Sequence, residues 1–108
     1  MNVIVFMNTS GDILDDNQRK ALQEYIHQGG SFVAIHSASF TMMEWPWYVK
    51  LVGGVWNRHP NPGISTAIVN NEKPNHPSTS HIPKKWVVTE EWYNYLELSD
   101  NIEVAFGR

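Results

Sequence analysis

The stretch from Gly30 to Ala38, Gly-Ser-Phe-Val-Ala-Ile-His-Ser-Ala, constrains the fold more than any other part of the sequence. A glycine pair precedes an unbroken apolar run from Phe32 to Ile35, and His36 ends that run. Such a run is typical of a strand buried on both faces, as in a parallel sheet that helices cover. Because open α/β sheets bind their ligands at the carboxyl ends of strands, His36 is the first candidate site residue.

Small residues on either side of His36 predict a sharp turn. Ala34 and Ala38 lie two residues before and after it. A tight strand-to-helix turn requires small side chains there, since larger ones would collide across the bend. The pattern follows the logic of a nucleophile elbow, with a histidine at the apex. The alternative is a packed histidine whose ring is hydrogen-bonded inside the core.

Composition limits the function classes. The chain has 108 residues, which allows one domain at most, and 42% of them are hydrophobic, as in ordinary globular proteins. A net charge of -3 gives no electrostatic indication that the chain binds nucleic acid or an anionic membrane. No apolar run is long enough to span a bilayer. The absence of cysteine excludes disulfides, thiolate catalysis and Cys-ligated metal. The first residues lack the basic region of a signal peptide, which predicts a cytoplasmic location.

A second apolar run, Val3 to Met7, predicts another buried strand. It ends in the polar turn Asn8-Thr-Ser-Gly-Asp12. Loops at strand ends often carry ligands, so Asn8, Thr9 and Asp12 are candidate substrate-binding residues. An equally weighted alternative is a plain connecting loop.

The helix between these two strands is strongly specified. Asp15 is a plausible N-cap, and Gln18 three residues later completes a capping box. Apolar residues recur on one face, the opposite face (with Arg19 and His27) is polar, and Gly29 ends the helix. Strand, helix and strand form a βαβ unit with a right-handed crossover.

Aromatic residues cluster directly after the candidate elbow. Pro46 can occupy the first turn of a short helix, between Trp45 and Trp47, and Tyr48 follows. Aromatic rings with one polar edge make good walls for sugars and other ring-shaped ligands. Core packing is the commoner fate of a single tryptophan, so the cluster predicts a mixture of core and wall residues.

Three further strands are predicted downstream: 64–69, near a sheet edge, then 86–89 and 102–106. A turn between prolines separates the first two. For acid–base chemistry, His36 with a carboxylate partner would suffice. A divalent metal held by His36, His59 and Glu91 is conceivable, but no local metal-ligand motif supports it, so no metal is predicted. The sequence evidence for a Ser37 nucleophile is weaker still. The sequence does not identify a cofactor.

Sequence blocks spread over nearly the whole chain resemble ThuA-like (trehalose utilisation) domains in content and order. They are 6–12, 25–30, 32–36, Trp45-Pro-Trp-Tyr48, 51–54, His59-Pro60, His76-Pro77, Ile82-Pro83 and Thr89-Glu-Glu-Trp-Tyr93. The resemblance implies a flavodoxin-like three-layer α/β sandwich with a mainly parallel sheet, in the class I glutamine amidotransferase-like superfamily. His36 stands where that superfamily has its catalytic cysteine, so glutamine amidotransferase chemistry is not expected. The family is linked to bacterial disaccharide and keto-sugar metabolism.

The resemblance implies a carbohydrate ligand in a cleft at the strand carboxyl ends. His36 would be the acid, base or ligand and Glu91 its partner, with His59 converging on the same cleft. The remaining contacts would come from Trp47, Tyr48, Trp92 and Tyr93, together with Asn8, Thr9 and Asp12. The alternative is a non-catalytic carbohydrate-binding or scaffold remnant. Phe40 and Met42, where the family usually has acids, favour that alternative.

Residues 1–108 also resemble only part of a ThuA-like domain, truncated at both ends. The loss of flanking strands would expose edges of a normally buried sheet. We therefore expect a marginally stable chain, or one that self-associates through those edges.

Overall fold

The computed structural model describes residues 2–108 and shows an α/β fold. The chain divides into two compact units, the first ending at Trp56 and the second beginning at Asn57. Its elements, in order, are β1 (Val3–Met7), α1 (Asp16–His27), β2 (Ser31–Ile35), a 3₁₀ helix (His36–Phe40), α2 (Pro46–Val52), β3 (Val55–Arg58), β4 (Ile64–Asn71), β5 (Lys85–Glu91), β6 (Asn94–Leu96) and β7 (Phe106–Gly107). The strands form three small sheets, β1-β2, β3-β6 and β5-β4-β7. Among residues 2–108, none of the helices has the length and apolar character needed to span a bilayer.

The first unit contains the predicted βαβ arrangement. Strands β1 and β2 are parallel, with a register that runs from Val3 opposite Ser31 to Met7 opposite Ile35. Helix α1 begins with the predicted capping box, in which Asp15 and Gln18 bond to each other's backbone N–H. The glycine after the helix, Gly29, has a φ of 91°, which a glycine adopts without a Cβ penalty.

Aromatic rings pack on one face of this parallel pair. Phe6 of β1 and Phe32 of β2 meet edge to face at 5.1 Å. Tyr48 of α2 lies 6.0 Å from Phe6 and 6.1 Å from Phe32. Pro46 occupies the first helical turn, as predicted. Proline is tolerated there because the backbone N–H groups of that turn have no acceptor within the helix. This face, together with Leu22 of α1, forms the core of the unit.

The other face of the same sheet is exposed. Its apolar side chains are between 42 and 67% exposed: Val3, Val5, Met7, Val33 and Ile35. The prediction of strands buried on both faces is therefore wrong for this face. Side chains alternate across a strand, and the helices of the unit pack on the face that carries Phe6 and Phe32. We call these five residues the open sheet face.

The second unit contains an antiparallel sheet. Strand β4 is central, paired with β5 from Ile64 opposite Glu91 to Asn70 opposite Lys85, and with the short β7 on its other side. The predicted edge position of this strand is thus wrong. The expected mainly parallel sheet also requires correction, because β1 and β2 are parallel whereas β4 pairs antiparallel with both β5 and β7. A parallel connection needs a crossover, usually helical, whereas prolines at 74, 77 and 83 keep residues 72–84 in turns.

A buried amide holds the turns between β4 and β5. The Asn71 side chain donates to the carbonyls of Thr79 and Ile82, at 3.0 and 3.3 Å, and accepts from the Lys73 N–H. This network orders the predicted turn between the prolines. The last predicted strand is shorter than expected, since only Phe106 and Gly107 of the 102–107 region join the sheet.

Candidate functional site

The predicted elbow is present at His36. This residue begins the 3₁₀ helix directly after β2, and its φ is 55°. A left-handed backbone is uncommon for a residue with a Cβ, and it persists only where the surrounding structure enforces it. The Ser39 hydroxyl donates to the His36 carbonyl at 3.2 Å and closes the turn. The structure therefore confirms a sharp turn with a histidine at its apex.

Tyr48 supports this turn from inside the unit. Its hydroxyl donates to the carbonyl of Ala38 at 2.8 Å, and 1% of the residue is exposed. Burial raises the pKa of Tyr48 to about 12, so the phenol stays protonated and keeps its donor. Ala38 is fully buried, in agreement with the need for a small residue at the bend. Tyr48 is thus a core residue that positions the elbow, and this placement does not fit the predicted role in a pocket wall.

Asn8 lies beside His36 at the same edge of the sheet. The register that pairs Met7 with Ile35 makes these two the next residues of adjacent strands. Asn8 also has a φ of 55°, and its N–H donates to the Ile35 carbonyl at 3.2 Å. Two strained, non-glycine residues therefore stand side by side where β1 and β2 end. Clustered backbone strain of this kind is typical of functional sites.

The loop after β1 is hydrogen-bonded to the segment after the elbow. The hydroxyls of Thr9 and Thr41 are 2.8 Å apart, and Gly11 exchanges backbone hydrogen bonds with Phe40 and Met42. Thr41 is almost fully buried, which places the Thr9 hydroxyl at a packed contact.

Asp12 contacts an arginine that the sequence placed on the solvated face of α1. Arg19 lies 2.6 Å from the carboxylates of both Asp12 and Glu44, and over the ring of Trp45 at 5.0 Å. The hydrogen bond from Arg19 lowers the pKa of Glu44. Asp12 therefore ties its loop to α1. Sequence reasoning missed this cluster because Glu44 is distant from Arg19 along the chain.

Trp47 lies away from the elbow. Its ring packs 5.0 Å from Trp45 and 6.3 Å from His27, in the last turn of α1. That turn precedes the amino end of β2, whereas His36 follows the carboxyl end. The structure thus separates Trp47 from His36, although it brings Asn8 and His36 together.

Phe40 and Met42, at the positions where the resemblance implies acids, are packing residues. Phe40 meets Trp56 edge to face at 4.8 Å, and Met42 is almost fully buried with a φ of 43°. Neither side chain has the carboxylate with which an acid would bind a hard metal ion or accept a hydrogen bond from a sugar hydroxyl.

In the second unit, His59 and Glu91 form a pair. The His59 Nδ1 lies 2.9 Å from the carbonyl of Trp92, which fixes Nδ1 as the donor nitrogen because a carbonyl only accepts. The other ring nitrogen, Nε2, lies 3.5 Å from Glu91 Oε1. An orienting bond on one nitrogen and a carboxylate at the other is an arrangement suited to hydrogen bonding or proton transfer. Convergence of His36 on this pair stays a prediction.

Two aromatic residues complete the cluster. The Tyr93 ring lies edge to face with His59 at 4.9 Å, and partial burial, with a smaller contribution from Glu91, raises the pKa of Tyr93. The Trp92 indole N–H donates to the Ser65 carbonyl at 2.8 Å. Four residues predicted from the sequence, His59, Glu91, Trp92 and Tyr93, therefore lie together. We call them the His59 cluster.

A cavity of about 200 Å³ adjoins the His59 cluster. Its lining consists of Val69, Trp92, Tyr93, Phe106, Gly107 and Arg108. The Arg108 guanidinium lies over the Trp92 ring at 5.2 Å. Sequence reasoning missed Arg108, and no local pattern in the sequence indicates it. No group of three or more His, Asp or Glu residues within 2–108 is placed to hold a metal ion.

Comparison with protein families decides the relationship that the sequence blocks suggest. The family model described as trehalose utilisation, ThuA, matches residues 1–107. The chain belongs to the ThuA family. A search of curated proteins gives no match.

Two solved structures of ThuA-like proteins resemble this one. One, from Bacteroides uniformis, has a TM-score of 0.75 and 26% identity over 94% of this chain and 44% of its own. The other, from Parabacteroides merdae, has a TM-score of 0.79 over 96% of this chain and 47% of its own, and its 18% identity shows the fold alone. The chain thus spans less than half the length of these ThuA-like proteins.

Backbone strain at the elbow predicts an unusual order of stabilities. His36→Gly and His36→Ala remove the same ring contacts, but glycine tolerates a φ of 55° and alanine does not. We expect the glycine variant to have the higher free energy of unfolding, by about 1 kcal/mol, in urea denaturation. At Ser37, whose φ is not positive, alanine should be the more stable of the same two substitutions. The reverse order at His36 would contradict the strained elbow.

Proposed function

We propose that this ThuA domain binds a carbohydrate, of the trehalose or keto-sugar class, at the His59 cluster. The observation that carries the proposal is the contact between His59 and Glu91 beside the rings of Trp92 and Tyr93. The family description, trehalose utilisation, supports a sugar as the ligand class. Both solved relatives are described only as ThuA-like, so the nature of the sugar rests on the chemistry of the cluster.

The cluster offers the two kinds of contact that sugars require. A carboxylate and an imidazole can accept from and donate to hydroxyl groups, and charge-assisted bonds of this kind are among the stronger ones. Aromatic rings supply flat apolar surface for the C–H face of a sugar ring. Because Trp92 and His59 are each held by a backbone carbonyl, the cluster is largely ordered before a ligand arrives.

Catalysis is a second proposal, favoured by the elbow. A strained turn presenting a histidine, with Asn8 beside it, is the arrangement expected of an acid–base residue or ligand. In this proposal His36 acts at the strand carboxyl ends of the first unit, where Asn8 lies beside it. The alternative is a non-catalytic sugar-binding or scaffold domain, which Phe40 and Met42 favour.

Calorimetric titration with trehalose, glucose and a 3-keto sugar tests the binding proposal. Glu91→Gln removes the charge that faces His59, so we expect at least a tenfold weaker affinity, corresponding to about 1.4 kcal/mol. Glu90→Gln is the matched control, because it removes a charge from the neighbouring residue, while the glutamine amide oxygen can still accept from the Glu91 N–H as the Glu90 carboxylate does. No binding by folded protein, or equal losses in both variants, would contradict the proposal.

Turnover of the same sugars by wild type and His36→Ala tests the catalytic proposal separately. Loss of turnover with retained affinity would support an acid–base role for His36. Binding without turnover in the wild-type chain would favour the non-catalytic alternative.

We also propose that copies of the chain associate through the open sheet face and the adjacent edge of β1. Apolar patches of this kind favour contact with another chain, here beside an edge of β1 that pairs with no other strand of residues 2–108. Sedimentation velocity should show a concentration-dependent increase in mass for the wild type. The double variant Val5→Lys with Met7→Lys should remain monomeric, whereas Val87→Lys, on the exposed face of β5, should still associate. A wild type that stays monomeric at high concentration would contradict this proposal.

A further inference from the structure

We infer that the cavity beside Trp92 selects an acidic sugar, with Arg108 binding its carboxylate. The inference rests on the proposed carbohydrate function and adds to it a preference for sugars that carry a carboxylate, such as a hexuronic acid. The juxtaposition that carries it is a guanidinium held over an indole ring at the wall of a cavity the size of one sugar ring.

Arg108 has donor capacity that the described protein does not use. Across residues 2–108 it forms the contact with the Trp92 ring and neither a hydrogen bond nor an ion pair. A cation over an aromatic face is attracted by the ring, while the N–H groups of a guanidinium remain available to a planar acceptor. A carboxylate matches that geometry because it accepts two parallel N–H bonds.

Both partners of this contact are held in place by backbone interactions. Arg108 directly follows β7, in which Gly107 pairs with Asn70 of the central strand. Trp92 is fixed at its backbone N–H by the Gly63 carbonyl, at 3.2 Å, and at its indole N–H by Ser65. The guanidinium therefore projects from an ordered strand end onto an ordered ring. A preorganised donor of this kind costs little conformational entropy when a ligand binds.

The walls of the cavity suit a single sugar ring. Trp92, Tyr93 and Phe106 supply aromatic surface, and the almost fully buried Val69 also lines the cavity. Tyr93 also contacts His59, so the cavity is continuous with the His59 cluster. A sugar acid could thus place its ring against the aromatic walls and its carboxylate at Arg108.

One nearby acid favours a carboxylate over a phosphate. A Glu72 carboxylate oxygen lies 3.4 Å from where a Cβ on Gly107 would stand, which places a negative charge near the cavity. A phosphate monoester carries between one and two negative charges near neutral pH and is repelled more strongly than a carboxylate with one. The same reasoning predicts that removing the Glu72 charge strengthens the binding of any anion.

Calorimetric titration with glucuronate and glucose, which share one pyranose ring and differ only at the exocyclic C6, tests the inference. We expect the wild type to bind glucuronate about tenfold more tightly than glucose, and added salt to reduce the difference. Arg108→Gln should abolish the preference, because it weakens the binding of glucuronate more than the binding of glucose. Arg108→Lys, which keeps the charge but loses the planar donors, should retain only part of the preference. Glu72→Gln should increase the affinity for glucuronate, and Arg58→Gln is the control for loss of a positive charge elsewhere.

The outcomes separate this inference from the proposed function. Equal affinity for the two sugars, or a preference that survives in Arg108→Gln, would overturn the acidic-sugar inference and leave sugar binding intact. Tighter binding of glucose 6-phosphate than of glucuronate would overturn the choice of a carboxylate. No heat with glucuronate, glucose or glucose 6-phosphate would overturn the inference, and no heat with trehalose and the 3-keto sugar as well would overturn the function on which it rests.

Discussion

The left-handed backbone at His36 is the constraint on which the first unit depends. With this backbone conformation, the chain changes from strand β2 to a 3₁₀ helix within one residue. Three contacts enforce it: Tyr48 holds the Ala38 carbonyl, Ser39 holds the His36 carbonyl, and the Asn8 N–H holds the end of β2. Removing the hydroxyl of Tyr48 would leave the buried Ala38 carbonyl without this donor, which would destabilise the turn.

The elbow and α1 were predictable because their determinants are local. Ala34 and Ala38 flank the apex, and the Asp15–Gln18 box lies within one helical turn, so a short stretch of sequence carries the full signal. The exposure of the open sheet face was not predictable in the same way. An unbroken apolar run indicates two buried faces, and whether anything packs on the second face depends on other parts of a fold, not on the strand itself.

The second unit shows the same division between local and distant determinants. Glu91, Trp92 and Tyr93 are consecutive, so a ligand-binding block was recognisable in the sequence. The side chain that orders this block comes from His59, and the cation over Trp92 comes from Arg108. Both contacts depend on the antiparallel register of β4 with its neighbours. That register could not be read from the sequence, because the prolines that exclude a crossover helix do not specify which strands pair.

Two-dimensional ¹⁵N–¹H NMR of the labelled chain, recorded during titration with trehalose, can show which residues bind the sugar. The indole N–H of each tryptophan gives a separate signal, so the signals that shift identify the tryptophans near the bound sugar. We predict that the indole signal of Trp92 and the backbone signals of His59, Glu91 and Tyr93 shift together and saturate, while the indole signal of Trp47 stays in place. Shifts confined to Trp47 or to the open sheet face, or no shifts with any of the proposed sugars, would contradict the assignment of the His59 cluster as the carbohydrate site.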